Sequence, residues 1–489
     1  MINSPPMRNH LLAIGIMTGN SLDGADLVLS RFGLDGGIED LGAHSVAFPD
    51  DLKRELRAVR SAIGRSEGRV EAAVDALGLG SFDSALDQYT NLVARAVEDL
   101  RAKVGPVAVD LIGFHGQTCG HRPPSIVGTG RLGDVFTVQV GDGQSLADLT
   151  GISVVYDFRS DDLMAGGEGA PLAPVHHRHL AESARSRGFF PIAFCNGGNT
   201  GNISIISQDA EGKPAVIGWD TGPFNHFPDS LMRLQAGKAC DFGAEVGRRG
   251  TIHLGLLSLL FHSAARTRSG ENFLLRPPPR SSDPEWYRLS LELLGEAPVE
   301  GVILSFEDRV RTATYFASYA FCHSLALIPP EIDPPAHFAV CGGGWRNPLC
   351  LGDFRAILLG QGQAPTLPEH AELFDRLRAW TISAVIAPSE TFGFDGTAME
   401  ARIFADAAVS RIKGEPFTLP ATTGAAQPTV CGIIRFPNQD RSRATEPLRE
   451  WLDHFGTEAA TVDLPDVFEG RWSRAGAGWQ ARLVSRHPG

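Results

Sequence analysis

A short apolar segment that runs into a glycine-rich turn and then into a second apolar segment occurs twice, about 180 residues apart, and this limits the fold more than any other feature. Residues 11–17 (LLAIGIM) lead into Thr18-Gly-Asn-Ser-Leu-Asp-Gly24 and resume over 25–32 (ADLVLSRF). Residues 190–195 (FPIAFC) lead into Asn196-Gly-Gly-Asn-Thr-Gly-Asn202 and resume over 203–206 (ISII). A polar turn over 208–214 then gives a third segment, 215–219 (AVIGW), ending on Asp220-Thr-Gly222. Apolar runs of this length bounded by Gly, Asn and Asp read as strands joined by tight turns. Two hairpins, each built around a loop of phosphate size, predict a duplicated α/β fold whose two lobes face each other across a cleft.

Helical spacing fills the space between the hairpins. Leu86, Tyr89, Leu92, Val93, Ala96, Val97 and Leu100 recur three and four residues apart and form one packing stripe that ends near Gly105. A strand over 107–114 then delivers His115-Gly-Gln-Thr118, and a strand over 152–156 delivers Asp157-Phe-Arg159. Polar groups at the carboxyl ends of strands are where open α/β sheets hold ligands. The organisation expected is a first lobe over 11–155, a second over 156–385 with a surface insertion at 363–382, a closing segment over 386–437 that returns toward the cleft, and a C-terminal extension of unassigned role over 438–489.

Composition removes several classes of function. Lys and Arg total 44 against 57 Asp and Glu, a net charge of −13, which argues against nucleic acid as a partner. No apolar run reaches the roughly 18 residues that span a bilayer. The seven cysteines form no C-x-x-C pair, which fits a reduced compartment and disfavours zinc; the expected location is the cytoplasm. Glycine is the excess that matters: 55 residues, clustered over 15–24, 196–202 and 341–348.

Glycine lets backbone N–H groups approach oxyanions that larger side chains would hold away. Each cluster alone reads equally well as a tight turn, and none matches a Walker loop or a Rossmann fingerprint. Together, with two of them inside matching hairpins, they favour a nucleotide held across the cleft. Asp220, at a strand end beside the second loop, is placed to take a proton from a nucleophile. Arg159 suits either a substrate anion or an ion pair with Asp157 or Asp161. His176, His177 and His179 share no helix face well and read as a solvated helix start rather than a metal site.

The stretches GIMTGNSLDGAD (15–26), GFHGQT (113–118), QVGD (139–142), DFR (157–159), GGEGAPLAP (166–174), DTGPFN (220–225), CGGGWRNPL (341–349) and Met399-Glu400 resemble, in the same order, the anhydro-N-acetylmuramic acid kinases. The resemblance implies an actin-like (ribonuclease H-like) two-lobed kinase that uses ATP and Mg2+, with no metal ligand assigned. It places Gly19, Asn20, Ser21 and Asp23 in the first phosphate loop, Gly197, Gly198 and Asn202 in the second, and Gly342, Gly343 and Asn347 against the nucleoside. Asp220 matches the catalytic aspartate, and Thr118, Arg159 and Glu400 lie near the sugar with His115 and Gln117 behind them. Departures from the family pattern fall in both phosphate loops, at Phe224, where a glycine is usual, and at 279–286 (PRSSDPEW), which lacks a usual Gly-Arg. These last two changes are expected where the sugar sits.

The implied reaction opens a 1,6-anhydro sugar with water and phosphorylates its 6-oxygen, a step of cell-wall sugar recycling. A kinase for another sugar and a non-catalytic nucleotide-binding regulator are the two alternatives. The resemblance leaves a homodimer open.

Overall fold

The computed structural model describes residues 7–19, 21–127, 135–263, 270–282, 294–295, 298–362, 364–396, 399–457, 471–475 and 478–482. The first expected hairpin is present: β1 (His10–Thr18) and β2 (Gly24–Gly33) pair antiparallel with Ile14 opposite Leu29, and β3 (Ile38–Ala47) continues antiparallel beyond β2. On the other side of β1 lies β4 (Leu111–Arg122), parallel to it; β5 (Phe136–Val140) pairs with the far end of β4, and β6 (Ser153–Tyr156) lies parallel to its near end.

The second hairpin repeats this plan. β7 (Ile192–Gly197) and β8 (Thr200–Gln208) are antiparallel, β9 (Pro214–Pro223) follows antiparallel, and β10 (His337–Cys341) and β11 (Val385–Pro388) add in parallel on the far side of β7. The orders β3-β2-β1-β4-β6 and β9-β8-β7-β10-β11 are the same arrangement with the same directions. The duplicated ribonuclease H-like plan is therefore written in the strand pairing itself. β12 (Ile433–Arg435) closes the first sheet beside β6.

Helices cover the sheets where their apolar stripes demand. The helix Leu79–Val104 buries every residue of the stripe named above. In the second lobe Phe306–Ser324 is buried on all sides from Thr312 onward and packs against Pro348–Leu359, which in turn carries Ala371–Thr381. That last helix corrects one expectation. Residues 364–382 are the crossover between β10 and β11, and Leu367, Phe374 and Leu377 sit in the lobe's core, so the described part of this stretch is not a surface insertion.

The chain crosses back after β11. The helix Met399–Lys413 packs on β1, β2 and β4 of the first lobe, and the contact is so close that a Cβ at Gly15 or Gly113 would stand 1.9 Å from the Ala401 or Phe404 carbonyl oxygen. The beginning of the C-terminal stretch belongs to the same body. Glu446–Phe455 is a helix whose Leu448, Trp451 and Leu452 are buried on Met399–Lys413, each worth about 1.5–3 kcal/mol relative to exposure. Trp451 Nε1 donates to the Arg8 carbonyl at 2.9 Å, and Thr445 Oγ1 donates to Asp110 at 2.6 Å. Farther on, β13 (Arg471–Ala475) and β14 (Gly478–Arg482) form a two-stranded ribbon.

Candidate active site

Strand register assembles the second-lobe side of the site. Asn196 on β7 lies opposite Asn202 on β8, which lies opposite Asp220 on β9 beside a bulge at Thr221. One line across three strands thus carries the second glycine loop to the carboxylate. The third glycine cluster backs this loop. Gly342 has φ +92°, a region open to glycine, and a Cβ there would stand 2.4 Å from Asn196 Oδ1 and 2.9 Å from the Gly197 carbonyl oxygen.

The glycines of the loop differ in purpose. A side chain at Gly197 would strike the rings of Trp345 and Phe224, so this glycine is needed for packing. At Gly198 an added Cβ would meet only Thr200 O at 3.4 Å and Asn196 Nδ2 at 3.8 Å, and at Gly343 it would meet nothing within 4 Å. These two are bare backbone facing open space. Asn347, expected against a nucleoside, is the N-cap of Pro348–Leu359, its side chain accepting from Leu349 N at 3.0 Å.

Asp220 is buried, and its Oδ2 accepts from the Ser282 amide at 2.8 Å, with the Ser281 and Ser282 hydroxyls at 3.4 Å. Burial raises its pKa to about 6, opposed by the Ser282 N–H, Arg159 and Arg280. At neutral pH the group is thus ionised yet basic enough to take up a proton, as a general base must be.

The first-lobe side is built on β4 at the point where it changes partner from β1 and β6 to β5, so His115-Gly-Gln-Thr118 lies within the strand and not beyond its end. Gln117 Nε2 donates to the Gly19 carbonyl at 3.2 Å and ties the strand to the first loop, where Ser21 and Asp23 are exposed. Asn20 lies outside the described residues. Thr118 Oγ1 accepts from Gln139 Nε2 at 3.4 Å. Arg159 donates through Nε to His115 Nε2 at 3.1 Å and through Nη1 to the Gly169 carbonyl at 2.8 Å. Burial lowers the Arg159 pKa to about 10, with Asp220 and Asp162 opposing, and burial with the Arg159 charge keeps His115 neutral. Glu400, at the start of Met399–Lys413, accepts from Asn196 Nδ2 at 3.1 Å and so links the two lobes.

Several groups at the site carried no signal strong enough to be read from the sequence. Arg280, Ser281 and Ser282 sit on Asp220, and the neighbouring Ser125 accepts on its carbonyl from Arg276 and donates its amide to Glu168 Oε1 at 3.0 Å. Two departures from the family pattern have structural surroundings of their own. Phe224 is buried beneath the loop, 4.7 Å from Trp345 between ring centroids, and fills the volume that Gly197, Gly201 and Gly344 leave. The stretch 280–282 grips Asp220. The histidines are not solvated either, for His176 and His177 are buried, and His176 and His179 both bond Asp406 Oδ2, at 2.7 and 2.8 Å. Among the described residues no group of three or more His, Cys, Asp or Glu converges to hold a metal.

With this geometry in view, known proteins decide the family. The sequence model of the anhydro-N-acetylmuramic acid kinase family matches residues 11–369. The anhydro-N-acetylmuramic acid kinase of Rhizobium johnstonii is 33% identical over 429 residues, covering 87% of this chain and 98% of the relative. That of Vibrio cholerae is 32% identical over 436 residues, covering 88% of this chain and all of the relative. The chain belongs to this family. It is a sugar kinase, a phosphotransferase with an alcohol acceptor. Likeness to solved structures is low: a xylulose kinase from Rhodospirillum rubrum, covering 91% of this chain and 97% of its own, has a TM-score of 0.36 at 11% identity. The fold assignment rests instead on strand order and family. No helix among the described residues is long and apolar enough to cross a membrane.

Proposed function

We propose that the enzyme opens a 1,6-anhydro amino sugar, anhydro-N-acetylmuramic acid or a near relative, and phosphorylates the released 6-oxygen from ATP. The observation that carries this reading is Asp220: a buried carboxylate of pKa about 6 on β9, paired with Asn202 at the start of β8, the strand that follows the open glycine loop. Asp220 takes the proton of a water whose oxygen bonds to the anomeric carbon. The bond from that carbon to the 6-oxygen breaks, and its electron pair stays on the 6-oxygen. That oxygen then attacks the γ-phosphorus as the bridge to ADP breaks. When bound, ATP supplies the phosphoryl group and Mg2+ offsets its charge.

The remaining roles are those that the family resemblance implies. Gly197, Gly198 and Asn202 on one lobe and Gly19, Asn20, Ser21 and Asp23 on the other hold the phosphates, and Gly342, Gly343 and Asn347 border the nucleoside. Mg2+ takes oxygen ligands and keeps most of its waters, and the exposed Asp23 is the carboxylate the first loop offers it. Arg159 donates to the sugar's anion, held at its rear by His115, while Thr118, Gln117 and Glu400 border the ring. The seven cysteines are free and six are buried, which supports a cytoplasmic location.

Turnover in oxygen-18 water tests the mechanism. Heavy oxygen on the anomeric carbon of the sugar phosphate, read before ordinary anomeric exchange, is the expected result. Efficient phosphorylation of a reducing amino sugar with no activity on any 1,6-anhydro sugar would overturn it in favour of a plain sugar kinase.

A further inference from the structure

Arg280 is wholly buried, and its guanidinium donates to four main-chain carbonyls: Phe273 at 2.8 Å, Leu274 at 3.1 Å and Arg276 at 2.8 Å through Nη1, and Asp220 at 2.9 Å through Nε. The Arg280 carbonyl in turn accepts from the Asp220 amide at 3.1 Å. One residue therefore grips the peptide units on both sides of the Asp220 Cα. Two positions farther on, the Ser282 amide meets the Asp220 carboxylate at 2.8 Å. The guanidinium lies over the Phe273 ring, 4.7 Å from its centroid, which fixes its plane.

We propose that Arg280 is a positioning residue for Asp220: it folds the loop 273–282 around the main chain of the base and so keeps the Ser282 N–H aimed at the carboxylate. The inference rests on the reading of Asp220 as the general base. A planar fork with five donors suits a cage of carbonyls set in several directions, and a lysine ammonium reaches only some of them. Displacement of a reacting group by about 1 Å costs on the order of a hundredfold in rate. Loss of an N–H bond to the ionised carboxylate also raises its pKa.

The charged groups that bear on the Asp220 titration are Arg159 from the turn after β6 and Arg280 itself; one step away, against Ser281, stand His121 on β4, which burial holds neutral, and Glu168, itself raised to about 7 by burial. The turnover profile against pH has to separate the two carboxyls. Glu168→Gln does this, because an acid limb that survives the change belongs to Asp220.

The test compares Arg280→Lys, Phe273→Leu and Asp220→Asn in the full chain, with melting curves for each. Arg280→Lys is expected to lower kcat by roughly 10- to 100-fold, leave KM for ATP within about twofold, and move the acid limb upward by about half a unit or more. Phe273→Leu, which loosens the guanidinium without removing it, is expected to show the same signature more weakly. If Asp220→Asn is inactive while folded Arg280→Lys keeps the kcat and acid limb of the parent, the positioning role is wrong and the base assignment stands. If Asp220→Asn is active, the base assignment itself falls, and this role with it. Should Arg280→Lys fail to fold, a folded Phe273→Leu with unchanged kcat and unchanged acid limb overturns the proposal.

Discussion

β3 and β9 hold the same place in two sheets of the same order, yet no residue of β3 is buried, whereas every residue of β9 from 217 to 223 is. The difference lies in what lies against each strand. β9 is packed against Phe306–Ser324, Pro174 fits against Gly218 so closely that a Cβ there would stand 2.6 Å away, and the loop with Arg280 folds over its end. Topology supplies two equivalent positions, and only one of them is desolvated. Burial lifts Asp220 to about 6, into the range where a carboxylate accepts a proton usefully at neutral pH.

The strongest way to break this contrast is Asp220→Asn. Asparagine keeps the shape and can still meet the Ser282 amide through its oxygen, but it accepts no proton, so kcat should fall on the order of 10²–10⁴-fold. ATP affinity, measured by titration calorimetry, should survive, because backbone donors hold the phosphates. Near-parental turnover in this variant would move the base elsewhere, with Glu400 the next carboxylate at the site.

Burial acts on a second carboxyl nearby, and there it costs stability. Glu168 sits at about 7 against an ordinary 4.5, raised chiefly by desolvation and only partly offset by Ser125 and Arg276. The folded state therefore binds this proton more tightly than the unfolded chain does. The cost of folding with the group ionised is absent below about pH 4.5 and reaches roughly 3 kcal/mol above pH 7, by the conversion of about 1.4 kcal/mol per pKa unit. Glu168→Gln keeps an acceptor for the Ser125 amide and removes the charge. Its melting temperature should exceed that of the parent by a few degrees at pH 8, with the gain vanishing near pH 4.5. A gain independent of pH would show that the raised carboxyl is not the cause.

The glycine loop of the second lobe offers a smaller but sharper test. Gly198→Val fits the space beside Thr200 O and Asn196 Nδ2, at 3.4 and 3.8 Å from the Cβ, and stands where a phosphate would approach. ATP affinity should weaken about tenfold or more, near 1.4 kcal/mol, with the melting curve unchanged. Gly197→Ala should instead lower the melting temperature, since its side chain would press on Trp345 and Phe224. Equal effects at the two positions would dissolve the distinction between packing glycine and ligand-facing glycine.

Both hairpins, the duplication and the place of Asp220 near the end of a strand were legible because each is a local pattern: apolar runs of strand length, Gly and Asn in the turns, a carboxylate after an apolar run. What was not legible depends on contacts distant in sequence. Arg280 reaches Asp220 across 60 residues and Asp406 reaches His176 across 230, and neither pair has a spacing that periodicity can show. The burial of Phe224 beneath the loop was not legible either, because sequence adjacency to Asp220 does not say which face of the turn after β9 a side chain takes. The stretch 364–382 looked like an insertion because its prolines precede a short helix, while the burial of Phe374 and Leu377 depends on strands many residues away.

The smallest effect is expected on β3 itself, and its smallness is what the contrast requires. Arg31 on β2 faces Glu39 on β3 directly across the ladder, Nη1 to Oε2 at 2.5 Å, with both side chains largely in solvent. An opposite-charge pair across strands is worth about 0.2–1 kcal/mol, and exposed pairs fall at the lower end because water and salt screen them. Arg31→Ala should therefore shift the melting temperature by about a degree or less, and the shift should shrink further in 1 M salt, where the screening length is about 3 Å. Turnover and ATP affinity should not change, because both side chains of this pair lie largely in solvent. A clear drop in kcat on Arg31→Ala would mean that β3 is coupled to the site, and that the two outer strands differ in cover without differing in function.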